Sequence, residues 1–193
     1  DTAGRVQFVR YADGQQWLVS DAGVALVGSS DVTQRVAFER NSAGRIERVL
    51  AGDAGTPSLY YLDVASEGRG LEVSLTGGDG DVDIYVQGGS PATDRHHEHG
   101  SFGSTNEELV VVTRLAPGRQ YITVAGNGPY KGVHLRVITF DSDIVPAHAL
   151  ANKRDVNVGL LEAGEARFTL EVPPVALDGT FAISGGDAEV FVR

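Results

Sequence analysis

A chain of 193 residues is long enough for one or two small domains with a sizeable core. Its net charge of −10 argues against nucleic-acid binding, which needs basic patches, and no apolar stretch approaches the ~18 residues of a membrane span. The absence of cysteine excludes disulfides and a thiol nucleophile, and the absence of methionine predicts a processed product or a fragment whose signal peptide has been removed.

Short strands bounded by Gly, Asp, Asn and Pro follow one another along the chain. The predicted strands are 5–11, 16–20, 24–27, 32–40, 45–50, 58–64, 70–75, 81–87, 108–115, 119–125, 133–140, 159–161, 166–172, 180–184 and 189–193. Residues 141–157 are a polar connector, in which only 146–153 lean towards helix. This pattern predicts an all-β protein, a jelly-roll-like antiparallel β-sandwich with additional β-hairpin segments at both ends.

An internal repeat divides the chain, because residues 55–87 return in diverged form as residues 164–193. Leu62-Asp63-Val64 matches Leu170-Glu171-Val172, and Ile84-Tyr85-Val86 matches Val190-Phe191-Val192. Self-similarity of this kind predicts tandem modules. The first copy continues for over fifty residues that have no counterpart in the second. The second copy is therefore expected to be either a module that is cut within its fold or an open half that needs partner strands, since an open sheet edge recruits them.

Segment 53–140 resembles the bacterial pre-peptidase C-terminal domain, a family related to the collagen-binding modules of bacterial collagenases. The residues that carry the resemblance are the run Gly77–Val86, then Gly89-Ser90-Pro91, Asn106-Glu107, Pro117–Val124 and Tyr130–Val137. The resemblance predicts one full copy and a partial second copy. The expected divisions are an N-terminal hairpin segment at 1–52, the sandwich at 53–141, and a connector with the partial copy at 142–193. It implies a calcium-tolerant accessory module of secreted proteases and other hydrolases, without catalysis of its own.

Three aspartates, Asp79, Asp81 and Asp83, alternate where a glycine-rich turn enters a strand. Calcium prefers several oxygen ligands, and carboxylates on alternate residues of a turn can converge on one ion. The alternative is structural, with Asp79 and Asp81 capping turn amides and Asp83 bonding a neighbouring loop. The sequence therefore offers a calcium site and a purely structural turn as competing interpretations.

Residues 94–99 hold three of the five histidines in the run Asp-Arg-His-His-Glu-His. In an extended loop, His97 and His99 would project to one side and could bind zinc or copper, but a solvated loop is the favoured interpretation. The sequence lacks a Gly-x-Ser-x-Gly elbow, and its Ser, His and Asp residues identify no catalytic triad. We therefore expect a chain that is not an enzyme.

The tyrosines suggest a binding surface. If Val82, Ile84 and Val86 face the core, strand alternation turns Tyr85 outward. The same reasoning places Tyr121 and Thr123 outside and Tyr130 on the following turn. Exposed tyrosines anchor a polymer by stacking and hydrogen bonding, whereas the alternative is cross-strand pairing that merely covers the sheet.

These observations predict a secreted or cell-surface bacterial protein that is a non-catalytic accessory module of a hydrolase or protease. Its partners would be an extracellular polymer, protein or polysaccharide, or the parent hydrolase domain. Its role would be substrate binding, or help in secretion or stability. The alternative is a structural module that self-associates, with the partial second copy completed by strands of residues 1–50 or of another chain.

Overall fold

The structure is a computed structural model, which describes residues 45–55, 57–150, 155–160 and 165–172. It also describes the backbone of five strands between residues 7 and 40, and single residues or short stretches at 174, 180, 182–184 and 189–191. These described parts are strands, turns and loops, and they contain no helix that is long and apolar enough to cross a membrane. The predicted all-β class is confirmed.

Strands account for nearly all of the regular structure in the described residues. They are β1 (Gln7–Arg10), β2 (Gln16–Ser20), β3 (Gly23–Val27), β4 (Val32–Val36), β5 (Glu39–Arg40), β6 (Arg45–Gly52), β7 (Ser58–Val64), β8 (Arg69–Thr76), β9 (Val82–Gly88), β10 (His99–Ser101), β11 (Glu108–Val112), β12 (Gly118–Gly126), β13 (Tyr130–Asp141), β14 (Ala147–Ala149), β15 (Asn157–Leu160) and β16 (Arg167–Thr169). The predicted bounds of β7 are those of the structure, and β8, β9, β12 and β13 differ from prediction by a few residues.

Two five-stranded sheets form a sandwich. The first sandwich sheet has the order β10-β9-β12-β7-β5, and the second has the order β15-β11-β8-β13-β6. Neighbours pair antiparallel except at two edges, where β5 joins β7 and β15 joins β11 in parallel. Strands β1 to β4 form a separate antiparallel sheet in chain order, and β14 pairs with β16.

The core lies between the two sandwich sheets, because both contribute buried apolar side chains to one cluster. Leu62, Val86 and Ile122 come from the first sheet, and Val73 and Leu135 come from the second. Alternate residues of each strand enter this cluster, as the period of two in the sequence requires. A smaller cluster of Leu109, Val111, Phe140 and Val145 covers the other face of the second sheet, with Val156 and Ala166 packed against it.

The glycine-rich turn before β9 depends on glycine at one position in particular. Gly78 has a φ of 70°, and a Cβ there would lie 2.6 Å from the backbone of Gly132 and Lys131. Only glycine has low energy at this φ, and only a residue without Cβ allows so close an approach. The turn is thereby held against the start of β13, where the amide of Asp79 donates to the carbonyl of Lys131 over 2.9 Å.

The structure corrects two expectations near the C-terminal end. The helical leaning of 146–153 is wrong, since Ala147–Ala149 is a strand; residues 151–154 lie outside the described residues. Strand β14 pairs with β16 in parallel, and the hairpin expected at the C-terminal end falls mostly outside the described residues. The strands expected at 180–184 and 189–193 are not present in 182–184 or 189–191, and their other residues, apart from 180, lie outside the described ones.

Two strands near the N-terminal end, β5 and β6, take part in the central sandwich. Strand β6 pairs with β13 along most of its length, and β5 pairs with β7 at Tyr60 and Tyr61. In the described residues, neither β5 nor β6 pairs with segment 159–193. The predicted divisions at 52 and 141 stay a prediction, although β6, from the first division, supplies an edge strand of the second.

Candidate functional site

The outer face of the first sandwich sheet carries most of the predicted binding residues. On β9 and β12, Ile84, Val86, Ile122 and Val124 point into the core, so their neighbours in sequence point away from it. Tyr121 lies opposite Tyr61 of β7 in register. These side chains therefore share one face, as the alternation of the sequence predicts.

Most of this face is not open to solvent, because the chain between β9 and β11 folds back over it. The hydroxyl of Thr123 donates to the carbonyl of Ala92 over 2.8 Å, and both residues are buried. Tyr85 is 7% exposed and Tyr121 is 5% exposed. The expected exposure of Tyr85, Tyr121 and Thr123 is therefore wrong, and for Tyr85 and Thr123 the cause is the covering loop. Their role in binding stays a prediction.

Three rings gather where this loop meets β9. Tyr85, His97 and Phe102 form the ring cluster, with the Tyr85 ring centroid 5.0 Å from that of His97 and 6.1 Å from that of Phe102. The rings of Tyr85 and Phe102 are nearly parallel, at 21°. Phe102 is 60% exposed, whereas Tyr85 beneath it is buried. A rigid buried ring thus supports an exposed one.

Hydrogen bonds fix the lower part of the ring cluster. The Tyr85 hydroxyl donates to Asp83 Oδ2 over 3.0 Å, and His97 Nδ1 lies 3.0 Å from the carbonyl of Thr93. Burial and the neighbouring Asp83 raise the pKa of Tyr85, so its hydroxyl stays protonated and remains a donor. Phe102 therefore rests on side chains that are already held in place.

A second group, the arginine–tyrosine pair, lies at the other end of the same face. Its members are Arg119, whose Cζ is 4.0 Å from the centroid of the Tyr61 ring, and Tyr61 itself. Arg119 also donates two hydrogen bonds to Asp63, of 2.8 and 3.2 Å. These bonds raise the pKa of the guanidinium, and the Tyr121 ring lies 6.4 Å from that of Tyr61. The planar cation is fixed over an aromatic surface.

Tyr130 is placed differently from the other predicted binding residues. It is 4% exposed and belongs to the core between the sheets. Glycines surround its ring, since a Cβ at Gly52 or Gly126 would lie less than 3 Å from ring atoms. The expected position on an accessible turn is wrong, because small residues on neighbouring strands leave a space that this ring fills.

The three aspartates do not converge. Asp79 has an 80% exposed side chain, whose carboxylate lies 3.7 Å from Lys131 Nζ. Asp81 and Asp83 are instead joined through the Asn127 amide, which donates to Oδ2 of each over 3.3 and 3.1 Å. Among the described residues, no group of three or more His, Cys, Asp or Glu is arranged to hold a metal ion. The three-carboxylate arrangement is therefore not formed, and calcium binding stays a prediction.

Asp83 nevertheless lies in an unusual environment for a carboxylate. Burial raises its pKa above the ordinary value, and the hydrogen bonds from Tyr85 and Asn127 lower it in part. The bond to Tyr85 links the aspartate pair to the ring cluster. In the structural interpretation of the sequence, Asp83 bonds a neighbouring loop, and its hydrogen bond with Asn127, between β12 and β13, is a contact of this kind.

The histidine run is folded into the covering loop. His97 packs between Tyr85 and Phe102, and burial lowers the pKa of His99 in β10. These contacts differ from those of a fully solvated loop, which was the favoured interpretation. The loop is instead structural, since it covers the outer face.

Sequence reasoning missed Phe102 and Tyr61, which are more exposed than the tyrosines it selected. Phe102 lies in a segment without alternation, so no periodic pattern indicates its direction. Tyr61 follows Tyr60 in β7, and alternation alone leaves open which of the two faces the core. A lone aromatic residue between glycines in a polar loop, Gly100-Ser101-Phe102-Gly103, is the one signal that could have indicated Phe102.

Comparison with known proteins identifies the central part of the chain. Residues 58–126 match the model of the bacterial pre-peptidase C-terminal domain. The chain is 30% identical over 123 residues to a microbial collagenase of Vibrio vulnificus, which covers 61% of this chain and 15% of the collagenase. It is 32% identical over 87 residues to alkaline serine exoprotease A of Vibrio alginolyticus, which covers 45% of this chain and 16% of that protease.

A third relative is a zinc metalloprotease of Helicobacter pylori, 31% identical over 88 residues, with 46% of this chain and 34% of the relative covered. The chain thus spans no more than about a third of the length of each of these three proteins. Among solved structures, the pre-peptidase C-terminal domain of collagenase from Bacillus anthracis matches with a TM-score of 0.39 and 15% identity, over 56% of this chain and 99% of that one. The segment that is similar to the bacterial pre-peptidase C-terminal domain, residues 58–126, comprises strands β7 to β12 of the sandwich.

Proposed function

We propose that the sandwich is a non-catalytic accessory module of a secreted or cell-surface bacterial protease, and that it attaches to a protein polymer. All three relatives described above are named as proteases, and one is a collagenase. Each of them is much longer than the matched segment. An accessory role accounts for a shared module within longer proteases of different kinds.

The exposed ring of Phe102 carries the binding proposal. An aromatic side chain that is already supported by Tyr85 and His97 loses little conformational entropy on binding, and such anchors dominate many interfaces. The arginine–tyrosine pair on the same face adds a second anchor, which is cationic and planar. Tyr85, Tyr121 and Thr123 then form the support beneath the contact surface. Extended polypeptides, which present carbonyl groups and apolar side chains in alternation, suit a face of this composition.

Retention on insoluble polymers tests this proposal. The wild-type chain is expected to be retained on insoluble collagen, and Phe102→Ala is expected to weaken retention by about tenfold, the loss typical of an aromatic anchor. Ile144→Ala, at an exposed residue outside both clusters, is the matched control and should bind like wild type. Chitin and cellulose columns distinguish a polysaccharide ligand. Equal retention of wild type and Phe102→Ala on collagen would show the proposal to be wrong.

A second candidate function is assembly through the partial second copy. Three residues of the first copy, Tyr60, Leu62 and Val64, lie in the core, whereas the corresponding Phe168, Leu170 and Val172 are exposed. Val172 is the most exposed of these, at 65%. An apolar row that is buried in one copy and open in the other favours a partner strand or sheet.

This partner strand is more readily supplied by another chain than by residues 1–50. Strands β5 and β6 are already paired within the central sandwich, and β1 to β4 pair with one another in the described residues. Light scattering over a range of concentrations tests the idea. A mass that rises with concentration in wild type and stays monomeric in Leu170→Asp supports it. A monomeric wild type at every concentration would contradict it, and Ile144→Asp controls for added charge.

A further inference from the structure

Glu108, the first residue of β11, is a carboxyl group enclosed within the protein. It is 0% exposed, and its backbone lies opposite Leu75 on one side and Asn157 of β15 on the other. Its Oε1 accepts a hydrogen bond from Asn157 Nδ2 over 3.0 Å, and its Oε2 is in short contact with the Ser101 hydroxyl. The side chain thus touches both edge strands, β10 and β15, at this corner of the sandwich.

The Ser101 hydroxyl has more acceptors than it can serve. It lies within hydrogen-bond distance of Glu108 Oε2 and also 3.0 Å from the carbonyl oxygen of Asn157, while the Leu109 amide donates to it over 3.4 Å. A hydroxyl donates one hydrogen bond and accepts two. If Glu108 is ionised, Ser101 can donate either to Glu108 Oε2 or to the Asn157 carbonyl, so one of these two oxygens loses this hydrogen bond, and the loss of a buried hydrogen bond is costly.

The neutral acid removes this conflict. A protonated Glu108 donates from Oε2 to the Ser101 oxygen, and Ser101 then donates to the Asn157 carbonyl. Glu108 Oε1 still accepts from the Asn157 amide group, so every group in the corner is satisfied. Electrostatics agree: the pKa of Glu108 is raised to about 7, chiefly by burial, while the hydrogen bonds with Ser101 and Asn157 lower it in part and the acidic Asp83 and Asp81 contribute a smaller increase.

Strand β15 is attached to the sandwich at this corner, where its parallel ladder with β11 begins. Besides the contacts of its carbonyl and side chain, the Asn157 amide donates to the carbonyl of Glu107 over 2.9 Å. Gly159 and Gly103 allow the tight fit, since a Cβ at Gly159 would clash with the Gly100 carbonyl and one at Gly103 with the Asn157 side chain. Strand β15 is the edge of the second sandwich sheet, and the partial second copy follows it.

We propose that Glu108, as a neutral carboxylic acid, fastens strand β15 to the sandwich, and that loss of its proton loosens this strand and the segment that follows it. The expected pH dependence follows from the direction of the pKa shift. Between pH 4.5 and about 7, Glu108 is protonated when β15 is attached (the closed state) and ionised when β15 is detached and Glu108 is in water (the open state). Closure is therefore favoured at acidic pH, weakens as the pH rises through this window, and changes little above it.

Hydrogen exchange of the β15 amides tests this switch in the full chain. After correction for intrinsic exchange rates, protection of residues 157–160 in wild type should fall between pH 5 and 7, by roughly 300-fold at most. Glu108→Gln keeps the shape, donates to Ser101 and has no proton to lose. Its β15 protection should be independent of pH and higher than that of wild type at pH 8. Glu67→Gln, at an exposed turn, is the matched control and should follow wild type.

Two results would overturn the proposal. One is β15 protection that is independent of pH in wild type, and the other is the same pH dependence in Glu108→Gln as in wild type. If Glu108→Gln does not fold, the carbon-13 titration of the Glu108 carboxyl in wild type decides instead. A midpoint close to 7 supports the neutral acid, and a midpoint near 4.5 contradicts it.

Discussion

Replacement of Arg136 by Met should destabilise the sandwich by an amount that depends on pH. Arg136 Nη1 lies 2.7 Å from Glu72 Oε1, and Glu72 is buried on the second sandwich sheet. Burial raises the pKa of Glu72, and the arginine opposes that shift. Without Arg136, an ionised carboxylate would remain in an apolar environment with no cation beside it.

The size of the effect follows from the geometry. Two unit charges about 4 Å apart attract by about 4 kcal/mol at an effective dielectric constant near 20. The Arg136 side chain is 41% exposed, so solvent screening reduces this to about 2 kcal/mol. For a chain of this size, that corresponds to a Tm lower by about 4–8 °C at pH 7.

The pH dependence of the stability loss tests this explanation. The folded-state pKa of Glu72 is raised, so at pH 4 the carboxyl is largely neutral and needs no cation. The difference in Tm between wild type and Arg136→Met, measured by scanning calorimetry, should therefore shrink from pH 7 to pH 4. The double variant Glu72→Met with Arg136→Met should be more stable at pH 7 than Arg136→Met alone. A Tm difference that is equal at both pH values, or a double variant less stable than the single one, would refute this reasoning.

Two further predictions concern the turn before β9. In chemical denaturation, Gly78→Ala should lower the free energy of unfolding by about 2–3 kcal/mol, because it combines a strained φ with a backbone clash. Gly89→Ala, at a similar φ but with open space around it, should lower it by only about 1 kcal/mol. Equal losses in the two variants would contradict the clash. If calcium binds at Asp79, Asp81 and Asp83, adding calcium chloride should raise the Tm relative to EGTA, and Asp81→Asn should abolish the rise; an unchanged Tm would show that the calcium prediction is wrong.

The sequence predicts most of the sandwich because its strands alternate clearly. Ile84 and Val86 in β9, and Ile122 and Val124 in β12, point inward as their period requires. The accessibility of the opposite side could not be predicted in the same way. Period two gives the direction of a side chain from its own strand, whereas the cover over Tyr85 and Thr123 comes from residues 92–102, whose sequence has no period.

The strand pairings at the edges of the sheets could not be predicted from local sequence patterns either. Strand β10 is three residues of a polar, histidine-containing loop, and it is a strand because it pairs with β9. The parallel pairing of β15 with β11 brings together residues 49 positions apart, and it depends on the match of Asn157 with Glu108 and Ser101. A single sequence contains these residues but does not indicate which of them meet.

Strand β6 affects where the boundaries of the folded module lie. The family match covers 58–126, which includes β8 and β11 of the second sandwich sheet but neither β13 nor β6. Yet β13 supplies Val133, Leu135 and Val137 to the core, and β6 supplies Ile46 and Leu50. A polypeptide cut at the limits of the match would lack these side chains and, together with β15, three of the five strands of the second sandwich sheet. One that begins at residue 53 would leave an edge of β13 unpaired. The segment that matches the family is therefore smaller than the segment that builds the hydrophobic core. A segment meant to fold alone should begin before Arg45 and extend beyond Asp141.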